Sequence, residues 1–267
     1  MKMVPTFSTI RYADEGGVAT VTLARPDKLN AFNAAMHAEL RVALDTAEWD
    51  DSVRCVVLTG EGRGFSSGQD LSEERLVGND GQVDVGSRLD RDYNPLVRRL
   101  YNFSKVTIAA LNGPAVGAAA NIALACDVLL AARSAYLQEA FARIALVPDA
   151  GGTWFLPRIV GPKRALALML TADQVKGDDL ERLGLVYKVF DDEKFSAEVA
   201  SFAKRLADGP GATYRLIKDA ARASMTNDLP AQLDFERDQQ RKAGRTRDFS
   251  EGVAAFKEKR APRFEGR

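Results

Sequence analysis

Arg54-Cys-Val-Val-Leu-Thr59-Gly60-Glu-Gly62-Arg-Gly64-Phe-Ser-Ser-Gly68-Gln69-Asp70 is a short apolar run followed at once by a glycine-rich turn. The run is too short for a helix and rich in valine, so it reads as a buried strand. The glycines after it punctuate the chain where a strand hands over to the next element. Upstream, residues 17–23 alternate like a strand and 34–49 have helical periodicity. Downstream, a helix at 94–103 leads to a strand at 106–111, and an alanine-rich helix at 117–126 leads to a strand at 127–131. Strands alternating with helices predict an α/β architecture with parallel pairing.

Beyond Gly152 the pattern turns mostly helical. Gly161-Pro162 opens one helix, a late strand is expected at 186–190, and helices at 193–207, 212–224 and 229–243, with Asp208-Gly-Pro-Gly211 as a turn. Residues 73–90, rich in Gly and Asp with little periodicity, are the candidate for a mobile loop.

The chain has 267 residues, 46% of them hydrophobic, which is enough to bury a sizeable core. Lys plus Arg and Asp plus Glu balance at 37 each, so the charge gives no reason to expect nucleic acid or an anionic membrane as partner. A small molecule is the expected ligand. Cys55 and Cys126 lie in apolar runs without metal-ligand spacing and read as buried thiols in a reducing compartment. No secretory leader pattern and no run of about 18 apolar residues occurs, so a cytoplasmic location is expected. The single histidine, His37, falls in the helical pattern of 34–49 and reads as a surface residue.

Three segments could carry chemistry. The turn quoted above and Asn112-Gly113-Pro-Ala-Val-Gly117-Ala118-Ala119-Ala120 could each present backbone N–H groups, and two such donors converging on one oxygen would make an oxyanion hole. Their glycines and alanines equally suit tight turns and close helix packing. The third, Leu146-Val147-Pro148-Asp149-Ala150-Gly151-Gly152-Thr153-Trp154, sets one carboxylate among apolar and small residues. Burial would raise its pKa toward a value useful for proton transfer, but Asp149 could also simply cap the helix that follows. Gly64-Phe65-Ser66-Ser67-Gly68 mimics a nucleophile elbow, yet the only histidine precedes it, against the order of those enzymes. No dinucleotide fingerprint or Walker A pattern is present, and cofactor-free chemistry without a metal is expected.

Taken in order, Ala24-Arg-Pro-Asp-Lys-Leu-Asn30-Ala, Gly64-Phe-Ser-Ser-Gly-Gln-Asp70-Leu, Asn112-Gly-Pro-Ala-Val-Gly117, Cys126-Asp127, Pro148-Asp-Ala-Gly-Gly152-Thr and Asp248-Phe-Ser-Glu-Gly252-Val-Ala-Ala-Phe256-Lys-Glu-Lys259-Arg resemble the enoyl-CoA hydratase/isomerase, or crotonase, superfamily. The resemblance implies a ββα spiral core over residues 1–200, with a helical region at 201–267 that mediates oligomerisation and covers CoA. It implies a homotrimer or a pair of trimers, and an acyl-CoA thioester as substrate. The oxyanion amides would be those of Gln69 and Ala118, and CoA would meet Lys28, Leu29, Ser67, Gly68, Asp70, Phe256 and Lys259. At the places where the family's hydratases carry two glutamates stand Asn121 and Phe141, neither a base. These two and Glu139 would line the acyl pocket, with Glu139 reading as a surface carboxylate on a strand. Asp149 falls where certain isomerases and a dehalogenase of the family carry a working aspartate. Tyr93-Asn-Pro-Leu-Val-Arg-Arg-Leu100, Gly151-Gly-Thr-Trp-Phe-Leu-Pro157-Arg and the stretch 233–245 resemble the branch of that family that isomerises ring-1,2-epoxyphenylacetyl-CoA. Other enoyl-CoA or dienoyl-CoA isomerases, a hydratase and a catalytically silent CoA-binding protein are the alternatives.

Overall fold

The computed structural model describes residues 6–73, 76–78 and 80–267. The chain opens with an antiparallel hairpin, β1 (Ile10–Glu15) and β2 (Val18–Leu23), and a 3-10 turn at Pro26–Lys28 leads into helix α1 (Ala34–Trp49). The α1 residues Met36, Leu40, Ala43, Leu44 and Ala47 form the stripe that packs onto the sheet, and the Asn33 side chain caps the helix by accepting from Met36 N at 2.8 Å. His37 shares that buried stripe and is 1% exposed, which corrects its reading as a surface residue. Its ring sits against Phe32 and Tyr93, at centroid distances of 5.3 and 4.4 Å, and burial holds it down to about 4, hence neutral.

Strand β3 (Cys55–Gly60) buries Cys55, Val56, Val57 and Leu58 in succession, as expected of a strand covered on both faces. After it come the short helix α2 (Val85–Arg88), a π-helical segment at Leu89–Tyr93, and α3 (Asn94–Tyr101). Helical structure thus begins well before residue 94, and it takes in the second part of the stretch expected to be an irregular loop. The Asp84 side chain accepts from Ser87 N at 3.0 Å and starts α2. Residues 74, 75 and 79 of that stretch lie outside the described residues.

The core continues through β4 (Val106–Leu111), β5 (Ala115–Val116), α4 (Ala118–Leu124), β6 (Val128–Ala132) and β7 (Tyr136–Gln138). Then follow α5 (Gly152–Val160), α6 (Pro162–Thr171), β8 (Gln174–Lys176), α7 (Asp178–Arg182), β9 (Lys188–Phe190) and α8 (Asp192–Ala207). Strands pair in the order β1-β2-β3-β4-β6-β9, parallel from β2 onward. A second sheet, β5-β7-β8, stands beside the glycine-rich turns and had no counterpart in the sequence reading. Every residue of α4 is buried, and its alanines let that helix lie close under the turns.

The C-terminal helices are α9 (Gly211–Ala223), α10 (Leu229–Ala243) and α11 (Arg247–Glu258). Helix α9 is tied to the core by Lys218, which donates to the carbonyls of Phe103 and Lys105 at 2.8 and 2.7 Å and pairs with Asp127. Arg222 pairs with the same carboxylate at 3.1 Å. No described helix is long and apolar enough to cross a membrane.

Candidate active site

The two glycine-rich turns meet backbone to backbone. Ser66 N donates to Pro114 O and Val116 N to Ser66 O, both at 3.0 Å, so the turns run as a short parallel ladder. A Cβ on Gly68 would lie 2.7 Å from Val116 O, a contact no side chain tolerates, and Gly68 has φ +89. The same point is 3.6 Å from Ala118 N, which places the following amide, that of Gln69, beside the start of α4. Phe32 N donates to Gly68 O and Asp70 N to Phe32 O, at 2.7 and 2.9 Å, so the Gln69 N–H between them faces away from Phe32. Ala118 is the first residue of α4, where an N–H has no partner within the helix. Two amides at adjoining turns can together hold one oxygen.

Side chains brace this pair. Gln69 Oε1 accepts from the Tyr93 hydroxyl at 2.7 Å, and Gln69 Nε2 donates to Asp70 O and Glu73 Oε2 at 3.0 and 3.1 Å. Sequence reasoning gives Tyr93 and Glu73 no place here: Tyr93 enters it only as the start of a motif, and nothing in the local pattern of Glu73 distinguishes it. Ser66 Oγ donates to Asn30 O at 2.7 Å and is buried, so it is no exposed nucleophile. Asn30, fully buried with φ +55, accepts from Arg25 N and donates to Glu61 O and Gly64 O, each at 2.9 Å. Ser67 N donates to Leu29 O at 2.9 Å, which brings Lys28 and Leu29 to the outer edge of the turn. The Asp70 carboxylate, expected to meet CoA, is engaged by Ser72 at 2.5 Å and by Arg25 at 2.9 Å. The Ser72 hydroxyl, then Arg25, hold it at about 2, and it acts from behind the turn.

Below the amides lies a polar floor. Asn121 Nδ2 donates to Asp149 O at 2.9 Å and to Glu139 Oε2 at 3.3 Å. A Cβ on Gly152 would fall 2.3 Å from that nitrogen, so only glycine lets α5 close over Asn121. The Asp149 side chain does not cap α5: Gly151 occupies the cap position, and Asp149 Oδ1 is buried without a hydrogen-bond partner among the described residues. Burial pushes Asp149 up to about 6. Glu139 is 1% exposed, which corrects its reading as a surface carboxylate, and burial pushes it up to about 7. Glu139 stands between the end of β7 and the 3-10 turn Ala140–Ile144. Phe141 closes the apolar side, its ring 3.8 Å from where a Cβ on Gly117 would be. Phe256 and Lys259 are not brought to this place within one chain: α11 packs extensively against no other element, and Phe256 is 86% exposed.

The profile of the enoyl-CoA hydratase/isomerase family matches residues 13–267. The chain belongs to that family. The 1,2-epoxyphenylacetyl-CoA isomerase of Escherichia coli K12 is 46% identical over 95% of this chain and 97% of its own length. A probable enoyl-CoA hydratase of Rhodobacter capsulatus is 44% identical over 98% and 100%. Among solved structures, a putative enoyl-CoA hydratase/isomerase from Mycobacterium abscessus superposes with a TM-score of 0.91 at 34% identity, covering 97% of this chain and all of its own. The crotonase fold of such relatives is the architecture described above, an α/β core with helices at the C-terminus.

Proposed function

We propose that this member of the family is a cofactor-free acyl-CoA isomerase with Asp149 as its acid/base. The substrate thioester oxygen sits between the amides of Gln69 and Ala118, which stabilise the enolate formed when a proton leaves the neighbouring carbon. Asp149 takes that proton and returns it elsewhere on the acyl group. One observation carries this reading: the half-buried Asp149 has a buried oxygen without a hydrogen-bond partner among the described residues, and its backbone is held by Asn121 of α4, the helix that Ala118 opens, while Asn121 and Phe141 stand where the resemblance puts the hydratase glutamates. Phe141 and Ile122, both buried, make the apolar side of the site and disfavour the addition of water.

The preferred substrate is ring-1,2-epoxyphenylacetyl-CoA, converted to its oxepin isomer, and the same site shifts 3-enoyl-CoA to 2-enoyl-CoA. The similarity to the isomerase of Escherichia coli supports this choice. Lys28, Leu29 and Ser67 meet the CoA moiety. Phe256 and Lys259 reach it from a neighbouring subunit of a trimer or of paired trimers, which accounts for so exposed a phenylalanine. The enzyme works in the cytoplasm.

Turnover of both thioesters by wild type and Asp149→Asn tests the reading. Wild type converts both and the variant neither; near wild-type turnover by the variant removes Asp149 from its role. A hydratase reading draws on the buried Glu139, which could position water. It predicts 3-hydroxyacyl-CoA from a 2-enoyl-CoA, abolished by Glu139→Gln.

A further inference from the structure

Three buried oxygens near the amide pair have no hydrogen-bond partner among the described residues: Asn121 Oδ1, Glu139 Oε1 and Asp149 Oδ1. One amide nitrogen, Asn121 Nδ2, serves both Glu139 Oε2 and the backbone of Asp149. None of the ion pairs of the described residues includes Glu139 or Asp149. Two ionised carboxylates cannot share such a place without a cation, and a proton is the remaining way to neutralise one of them. We infer that Glu139 and Asp149 work as a pair holding one proton, with Glu139 keeping that proton while Asp149 acts as the base. This rests on the assignment of Asp149 as the base.

Burial decides which partner keeps the proton. Glu139 is 1% exposed, whereas Asp149 is only half-buried. Burial and, after it, the charge of Asp149 push Glu139 to about 7, above the value of about 6 for Asp149. The Asn121 hydrogen bond offsets this only in part, and no ion pair of the described residues adds to it. Helix α4 has no titratable residue, and Arg143 of the turn after Glu139 is directed to Ala172 O. On α5, Arg158 stacks over Trp154, and on α6 Lys163 and Arg164 are exposed. Tyr93 faces the pair from the π-helical segment, but burial, then Asp149, keep its hydroxyl protonated and donating to Gln69.

The consequence for the reaction is electrostatic. With Glu139 neutral, a single negative charge moves from Asp149 to the enolate and back: one proton leaves C2 for Asp149, and Asp149 delivers one proton to C4. With Glu139 ionised, a second negative charge opposes the enolate throughout. Glu139 is therefore a positioning residue that acts through Asp149.

The test combines pH profiles with infrared detection of protonated carboxyl groups, using 3-enoyl-CoA and the full-length enzyme. In wild type, kcat rises through about pH 6 and falls above about pH 7 as the pair loses its proton. Glu139→Gln keeps the amide-bonded shape but stays neutral. Its ratio of kcat at pH 8.5 to kcat at pH 6.5 should exceed the wild-type ratio by about tenfold or more. The infrared band of a buried COOH at pH 6.5 should persist in Asp149→Asn and vanish in Glu139→Gln. An alkaline fall that survives in Glu139→Gln, or the absence of any such band from the wild type, overturns the pairing. The wild-type band decides the matter even if a variant does not fold. Activity retained in Asp149→Asn would instead remove the base and is distinguishable, because the Glu139 band does not depend on turnover.

Discussion

Asp70 and Asp149 each border a glycine-rich turn, yet they end in opposite conditions. Asp70 is held by Ser72 and Arg25 at about 2, whereas Asp149 has a buried oxygen without a partner among the described residues and is pushed by burial to about 6. The same contrast separates Asn30, whose amide oxygen and nitrogen are both engaged, from Asn121, whose Oδ1 has no partner among the described residues. The upper turn is satisfied within the protein, and the floor beneath keeps polar atoms without hydrogen-bond partners among the described residues. A buried polar group without a partner is destabilising, so it marks a place where stability yields to chemistry.

The largest effect expected from breaking this contrast is on rate. Asp149→Asn should lower kcat on 3-enoyl-CoA by about 10²–10⁴-fold with little change in KM, measured at the pH optimum. Next comes Asn30→Ala, which strands Glu61 O, Gly64 O and Arg25 N together and should destabilise the fold by about 3 kcal/mol in denaturant unfolding. The floor should respond in the other direction. A carboxyl whose folded pKa is raised binds its proton more tightly in the native state, so its contribution falls as pH rises from the unfolded value to the folded one. Glu139→Gln should therefore gain about 2 kcal/mol of stability at pH 8 and little at pH 4. Asp70 has the opposite sign, being depressed in the native state. Asp70→Asn should lose about 2 kcal/mol at pH 7, and that loss should shrink as pH falls from about 4 toward 2.

The framework was legible where periodicity and burial agree. The strand at β3, the alanine-rich α4 and the bounds of α10 all follow from local pattern. Strand β1 and helix α11 were not read out, since Ile10–Glu15 is largely exposed and α11 packs little. The second sheet consists of strands of two or three residues, too short for any alternation to show. In the site, the sequence singled out Gln69, Ala118, Asn121 and Asp149 through motif order, but it misjudged Glu139 and His37. Both sit in unremarkable surroundings along the chain and become interior only when distant elements close over them: Asn121 in one case, Phe32 and Tyr93 in the other. A capping aspartate and an unpartnered one look alike until the fold shows which donor is missing.

The tie between α9 and the ends of the parallel strands has a consequence for how the molecule comes apart. Lys218 and Arg222 converge on Asp127, which also accepts from Thr107 N at 2.8 Å, so one carboxylate couples the C-terminal helices to β4. Removing α9 would leave that charge without its cations in a half-buried position. Local fraying of α9 should thus be suppressed, and its amides should exchange with solvent nearly as slowly as those of β4, as members of one cooperative unit. Helix α11, held through Asp248 to the terminal Glu265 and Gly266 amides rather than to the parallel strands, should exchange before α9.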